Sequence, residues 1–149
     1  MQVAIDLSIQ NIKQGGGPFG AVIVKDGEII AAMANSVTHD NDPTAHAEVN
    51  AIRQAAKNLN TFDLSGCDIY ASCEPCPMCL GAIYWSRIDK LYFANTKNDA
   101  KAIGFDDSFI YDEIERSYET RKVKTIQMMR LKALKAFNLW EATENKTEY

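Results

Sequence analysis

Two cysteines stand three residues apart around a proline in the stretch CEPCPMCLGA, and few features of a chain limit its fold more tightly. Pro77 has no N–H to give and a fixed φ, so it is tolerated in the first turn of a helix and costly further in. The chain must therefore turn at Pro75 and start a helix at Pro77. That leaves Cys76 just before the helix and Cys79 inside its first turn. Helix N-termini carry partial positive charge and free N–H groups, which favour the thiolate form. Thirty residues earlier, PTAHAEVNAIRQAAKNL places His46 and Glu48 at the start of a second helix-prone run, expected from about Thr44 to Leu59 with Val49, Ile52, Ala56 and Leu59 facing a core. The chain has only two histidines.

One imidazole and a CxxC pair supply three donors that Zn²⁺ accepts while keeping a fourth position open. A lone histidine is more often a hydrogen-bonded core residue, and the cysteine cluster is what shifts that balance. Cys73 competes for a place in the set. Its binding would close the site as Cys₃His, a structural zinc; its position at a strand end before Pro75 favours Cys76 and Cys79 instead. Cys67, at the start of that strand, reads as a small buried hydrophobe or an exposed thiol. Glu48 bears on whether the zinc is structural or catalytic. In the first turn of a helix it can reach over the helix end beside His46. A zinc ion lowers the pKa of water from 15.7 to about 7, and a neighbouring carboxylate can then move the proton. A structural zinc in a protein-binding module would leave Glu48 dispensable, with only its complement to the helix dipole to explain it.

Elsewhere the pattern is that of one α/β domain. The 149 residues suit a single domain with a sizeable core. Val3, Ile5, Ile9 and Ile12 form an apolar stripe at helical spacing, stopped by Gly15-Gly16-Gly17-Pro18. FGAVIV and EIIAAMAN around Asp26-Gly27 predict a β-hairpin. CDIYASC and KLYFAN predict strands, KVKTIQMM a further one, and LKALKAFNLWEATEN a C-terminal helix. The order predicts a three-layer α/β/α sandwich around a mixed five-stranded sheet, largely parallel after the hairpin.

The net charge of -4 argues against a polynucleotide partner, and the basic run from Arg116 to Lys135 is interleaved with Glu119 and apolar residues, as in a solvated face. No apolar run approaches the ~18 residues of a membrane span, and the N-terminus lacks the features of a signal peptide. A cytoplasmic protein is expected, with cysteines used as ligands or thiols and not as disulfides.

His46-Ala47-Glu48 with Pro75-Cys76-Pro77-Met78-Cys79 matches the H-x-E and P-C-x-x-C signature of zinc deaminases. The chain resembles the cytidine deaminase-like superfamily over nearly its whole length. Within it, GFDDSFIYDEI and the final KTEY make it most similar to the guanine deaminases. The resemblance implies zinc on His46, Cys76 and Cys79, Glu48 as proton shuttle, and conversion of guanine to xanthine and ammonia. It further implies that Asn35 hydrogen-bonds the purine, that the Ala47 backbone N–H fixes its carbonyl, and that Asp107 faces the amino-bearing edge. Phe19 and Trp85 would pack on the ring, and Tyr149 would close the pocket. A homodimer is implied, in which the C-terminal helix and tail, about 131–149, lid their own site or cross to a partner. The tRNA adenosine deaminases, cytosine deaminases and guanosine deaminases share parts of the motif set and stand as alternatives.

Overall fold

The computed structural model describes residues 1–148. The chain divides into two compact units, Met1–Ser108 and the remainder from Phe109. In the first, helix α1 (Gln2–Lys13) leads into strands β1 (Gly20–Lys25) and β2 (Glu28–Ala34), the one-turn helix α2 (Val37–Asp40) and helix α3 (Ala47–Leu59). Strand β3 (Cys67–Cys73), helix α4 (Pro77–Trp85), strand β4 (Lys90–Asn95) and helix α5 (Lys97–Ala102) follow. The hairpin turns on Asp26 and Gly27, both at positive φ (51° and 84°), the geometry that matches the twist of the flanking strands.

The sheet order is β2-β1-β3-β4. β1 is antiparallel to both β2 and β3, and only β3 and β4 run parallel. The sheet is thus mixed, as expected, but less parallel than its alternating βα order suggests, because β3 returns beside the first strand of the hairpin. Among the described residues it has four strands and not five. The predicted fifth, KVKTIQMM, forms no ladder. Its alternation of lysine with apolar residues imitates a half-buried strand, yet Val123, Ile126 and Met128 are all about three-quarters exposed. Backbone groups there bond locally instead: Lys122 N–H donates to the Glu113 carboxylate and Thr125 Oγ1 to Val123 O.

Helices cover both faces of the sheet, the three-layer arrangement expected. Ala21, Ile23, Ala31 and Ile69 face α3, whose Ala47, Ala51 and Ala55 are buried against them together with Leu64 and Ile83. Small residues thus form the closest contact, while Ile52, Ala56 and Leu59 pack at its margin. The opposite face takes α1, and here the apolar stripe misleads. Val3, Ile9 and Ile12 are exposed, whereas Ala4, Ser8 and Asn11 are buried. The reason is distance. A Cβ on Gly20 would lie 2.3 Å from the Ala4 carbonyl oxygen and 2.9 Å from Leu7 Cβ, so α1 sits directly on the backbone of β1. Only small or hydrogen-bonded side chains fit such an approach.

The second unit holds most of helix α6 (Ser108–Glu115) and helix α7 (Arg130–Ala142), and none of its described residues is buried. Leu131, Phe137, Leu139 and Trp140 of α7 are exposed. Among the described residues, no helix is long and apolar enough to cross a membrane.

Two glycines of the first unit should respond oppositely to the same change. Gly20→Ala forces α1 off the sheet and should destabilise by about 1–3 kcal/mol. Gly81→Ala, inside α4 with nothing within 4 Å of the new methyl group, should stabilise by about 0.5–1 kcal/mol. Urea midpoints of both variants against the parent check the pair.

Candidate active site

His46 is the N-cap of α3 and Cys76 the N-cap of α4. Both have extended backbones, with φ, ψ of -70°, 153° and -66°, 168°, so their side chains project past the helix ends. α3 starts three residues later than its sequence suggests. Asp42 draws the Thr44 N–H and hydroxyl to one carboxylate oxygen, at 2.8 and 2.7 Å, which holds the preceding residues in a turn. Pro77 occupies the first position of α4, and Cys79 falls two residues on, in the first turn.

His46 Nδ1 lies 3.6 Å from Cys76 Sγ and 3.4 Å from Cys79 Sγ, and the two sulfurs are 3.6 Å apart. Tetrahedral zinc with ordinary Zn–S and Zn–N bonds would set such edges at about 3.6 Å for N to S and about 3.8 Å for S to S. The donor triangle therefore fits zinc in kind and in size. Among the described residues, this is the group of metal-ligating side chains close enough to share an ion. Cys73 is outside it: its buried Sγ points to the Thr96 carbonyl at 3.6 Å. Cys67 is a buried core thiol. The second histidine, His39, contacts the Gln14 carbonyl at 2.9 Å and has no part in the cluster.

Electrostatics separate the cysteines. The Cys79 thiol and the His46 ring both hydrogen-bond to Cys76 and outweigh its burial, bringing its pKa down to about 4. Burial pushes Cys73 up to about 11. Glu48, at the second position of α3, is 8% exposed, and that burial holds its carboxyl above the ordinary range, reinforced by the Cys76 charge. Its carboxyl group also meets the Cys79 thiol. A buried carboxyl of raised pKa against a three-donor cluster is suited to accepting and returning a proton.

Around this centre, Ala47 is buried, and as the first residue of α3 its N–H has no partner within the helix. Asp107 is partly buried, and burial and the nearby Cys76 charge raise its pKa. Phe19 packs edge-on against Phe105 at 5.0 Å and lines a cleft of about 230 Å³ with Pro18, Cys73, Asn95, Asp99 and Ile103. Asn35 is buried at the end of β2, its Oδ1 accepting the Val37 N–H at 3.2 Å. Trp85 is not brought to the cluster. It ends α4, roughly 9 Å further along the axis than Cys79 at 1.5 Å per residue, and is 71% exposed. Tyr149 lies outside the described residues. Sequence reasoning passed over Phe105 and the α5 wall of the cleft, since a short helix with a Thr96–Asp99 capping box carries no chemical signal of its own.

Residues 1–95 match the family model of the cytidine and deoxycytidylate deaminase zinc-binding region. The chain belongs to this family. A guanine deaminase of Bacillus subtilis is 52% identical over 147 residues, 98% of this chain and 94% of that one. An X-ray structure of guanine deaminase from Bacillus subtilis superposes with a TM-score of 0.96 at 52% identity, covering 99% of this chain and 95% of that chain. A tRNA-specific adenosine deaminase of Aquifex aeolicus is 47% identical over 94 residues, 63% of this chain and 62% of that one.

For this deaminase-family centre, Cys76→Ser and Cys79→Ser should each abolish zinc retention through dialysis, while Cys73→Ser keeps one equivalent by elemental analysis. In metal-free protein, iodoacetamide should modify Cys76 at a rate already level from pH 6 to 8, well above its pKa of about 4, with Cys73 unreacted.

Proposed function

We propose that the protein is a zinc-dependent aminohydrolase that converts guanine and water to xanthine and ammonia. The observation that carries this reading is the extent of the likeness. It reaches the guanine deaminase of Bacillus subtilis across 98% of the chain, but the tRNA-specific adenosine deaminase of Aquifex aeolicus across only 63%. The net charge of -4 also disfavours an RNA substrate.

His46, Cys76 and Cys79 would hold the zinc, which when bound polarises a water and brings its pKa toward 7. Glu48 then takes the proton of the attacking water and passes it to the departing amino group. Its carboxyl lies against the Cys79 thiol at the edge of the cluster, where one group can serve both transfers. The Ala47 N–H, an unpaired helix N-terminal donor, orients the purine carbonyl. Asn35 hydrogen-bonds the base, Phe19 covers its face, and Asp107 meets the amino-bearing edge, where its raised pKa allows it to share a proton with Glu48.

In this reading the whole chain is one deaminase domain acting as a homodimer in the cytoplasm, a reducing compartment that suits its four free thiols. The C-terminal helix and tail, about 131–149, cross to a partner subunit and lid its site, carrying Tyr149 to the purine. The exposed apolar side chains of α7 support this, since a helix with no buried residue has yet to bury its apolar surface. Deletion after Asn138 should lower both dimerisation and turnover; a truncated chain that keeps both overturns the exchange.

The decisive assay is ammonia release from guanine, guanosine, adenine and cytosine by the zinc-loaded protein. Guanine should be preferred, and turnover of guanosine or cytosine in its place would reassign the substrate. Glu48→Gln should retain zinc and fold and lose on the order of 10²–10⁴ in kcat.

A further inference from the structure

The buried face of α1 contains an amide that packing alone does not explain. Asn11 is 5% exposed. Its Nδ2 donates to Gly17 O at 2.8 Å and to Asn35 O at 2.7 Å, so both of its hydrogens are spent on carbonyls of other elements. Those carbonyls belong to one closed circuit. Gly17 O also accepts the Phe19 N–H at 2.9 Å, and Phe19 O accepts the Asn35 N–H at 3.0 Å. The path thus runs from Asn11 to Gly17, Phe19 and Asn35 and back to Asn11. The loop lies so close to this amide that a Cβ on Gly16 would stand 2.4 Å from Asn11 Nδ2. A Cβ on Gly17 would stand 3.3 Å from Asn35 Oδ1. The glycine run is therefore more than a helix stop: it lets the chain pass over the amide.

From this circuit we infer that Asn11 is a positioning residue for the purine pocket, setting Phe19 and Asn35 in register with each other. The inference rests on the reading of Phe19 and Asn35 as base contacts. Asn11 itself donates to backbone carbonyls and not to the His46, Cys76 and Cys79 cluster. Its effect passes through two backbone carbonyls, one in the loop that carries Phe19 and one at Asn35 itself. With the amide removed, both carbonyls lose a buried donor, and the loop is free to shift against β2. Substrate binding is weakened and the proton-transfer machinery, held by α3 and α4, is left alone.

The test compares steady-state deamination of guanine by Asn11→Ala, Gly16→Ala and Ser8→Ala, each with its zinc content measured. Gly16→Ala drives a methyl group into the Asn11 amide without removing it, and decides the question if Asn11→Ala does not yield folded protein. Ser8 is buried on the same face but donates only to Ile5 O of its own helix, at 2.7 Å, and controls for loss of stability. The expected result is a KM raised about tenfold or more in the Asn11 and Gly16 variants, with kcat within about twofold, full zinc content, and KM unchanged in Ser8→Ala. An unchanged KM in both Asn11→Ala and Gly16→Ala overturns the inference, as does a KM raised equally by Ser8→Ala or a fall in kcat with KM constant. Absence of guanine turnover in the unmutated protein overturns the substrate reading instead.

Discussion

The site depends on two helices starting side by side. His46 and Cys76 are N-cap residues, and an N-cap has extended backbone whose side chain is free to face whatever the helix end faces. Their ring and sulfur come within 3.6 Å only because α3 and α4 begin together, and that follows from how closely α3 lies on the sheet. Ala47, Ala51 and Ala55 against Ala21 and Ile23 allow an approach that branched side chains would prevent. The alanines therefore matter to the chemistry through distance, although none of their side chains can bind a metal.

That closeness concentrates negative charge. Cys76 is a thiolate over most of the pH range, and Glu48 and Asp107 lie near enough to have their own ionisation opposed by it. Burial acts in the same direction on both carboxyls. The two helix N-termini offset part of this charge, worth about 0.3–1 kcal/mol each in ordinary settings. A divalent cation offsets far more and reverses the local preference for protonated carboxyls. On the proposed reading, proton transfer by Glu48 would then be tied to occupation of the neighbouring donors.

What could be read from the sequence follows from how local each signal is. Pro77 between two cysteines determines a helix start within a few residues, and α4 begins there. The Asp26-Gly27 turn places both hairpin strands, and the apolar runs at Cys67 and Lys90 are the strands themselves. Signals failed where a partner decided the outcome. The stripe of Val3, Ile9 and Ile12 has the right period for a buried helix face, but Gly20 brings the sheet so near that Ala4, Ser8 and Asn11 face it instead. KVKTIQMM has the alternation of a strand but joins no ladder among the described residues. In each case composition was read correctly, and distance to a neighbour, which composition does not encode, settled the role.

The same division separates the reaction from its substrate. Residues 1–95, the stretch matched by the family model, contain the His46, Cys76 and Cys79 cluster and Glu48, together with the circuit of Asn11, Gly17, Phe19 and Asn35. Relatives named for different substrates match this chain to different extents, 147 residues for the guanine deaminase and 94 for the tRNA-specific adenosine deaminase, so hydrolytic deamination can be common to them while the base differs. Ile103, Phe105 and Asp107 follow residues 1–95 in sequence, on the loop after α5, and Phe105 packs on Phe19. A wall built partly inside and partly beyond the shared stretch can change its shape with no change to the metal donors. On the proposed reading of Phe19 as a base contact, selectivity would turn on how the loop that carries Phe19 meets the loop that carries Phe105. The buried amide of Asn11 fixes the first of those loops, which gives a polar residue on the inner face of a surface helix a reason to be there.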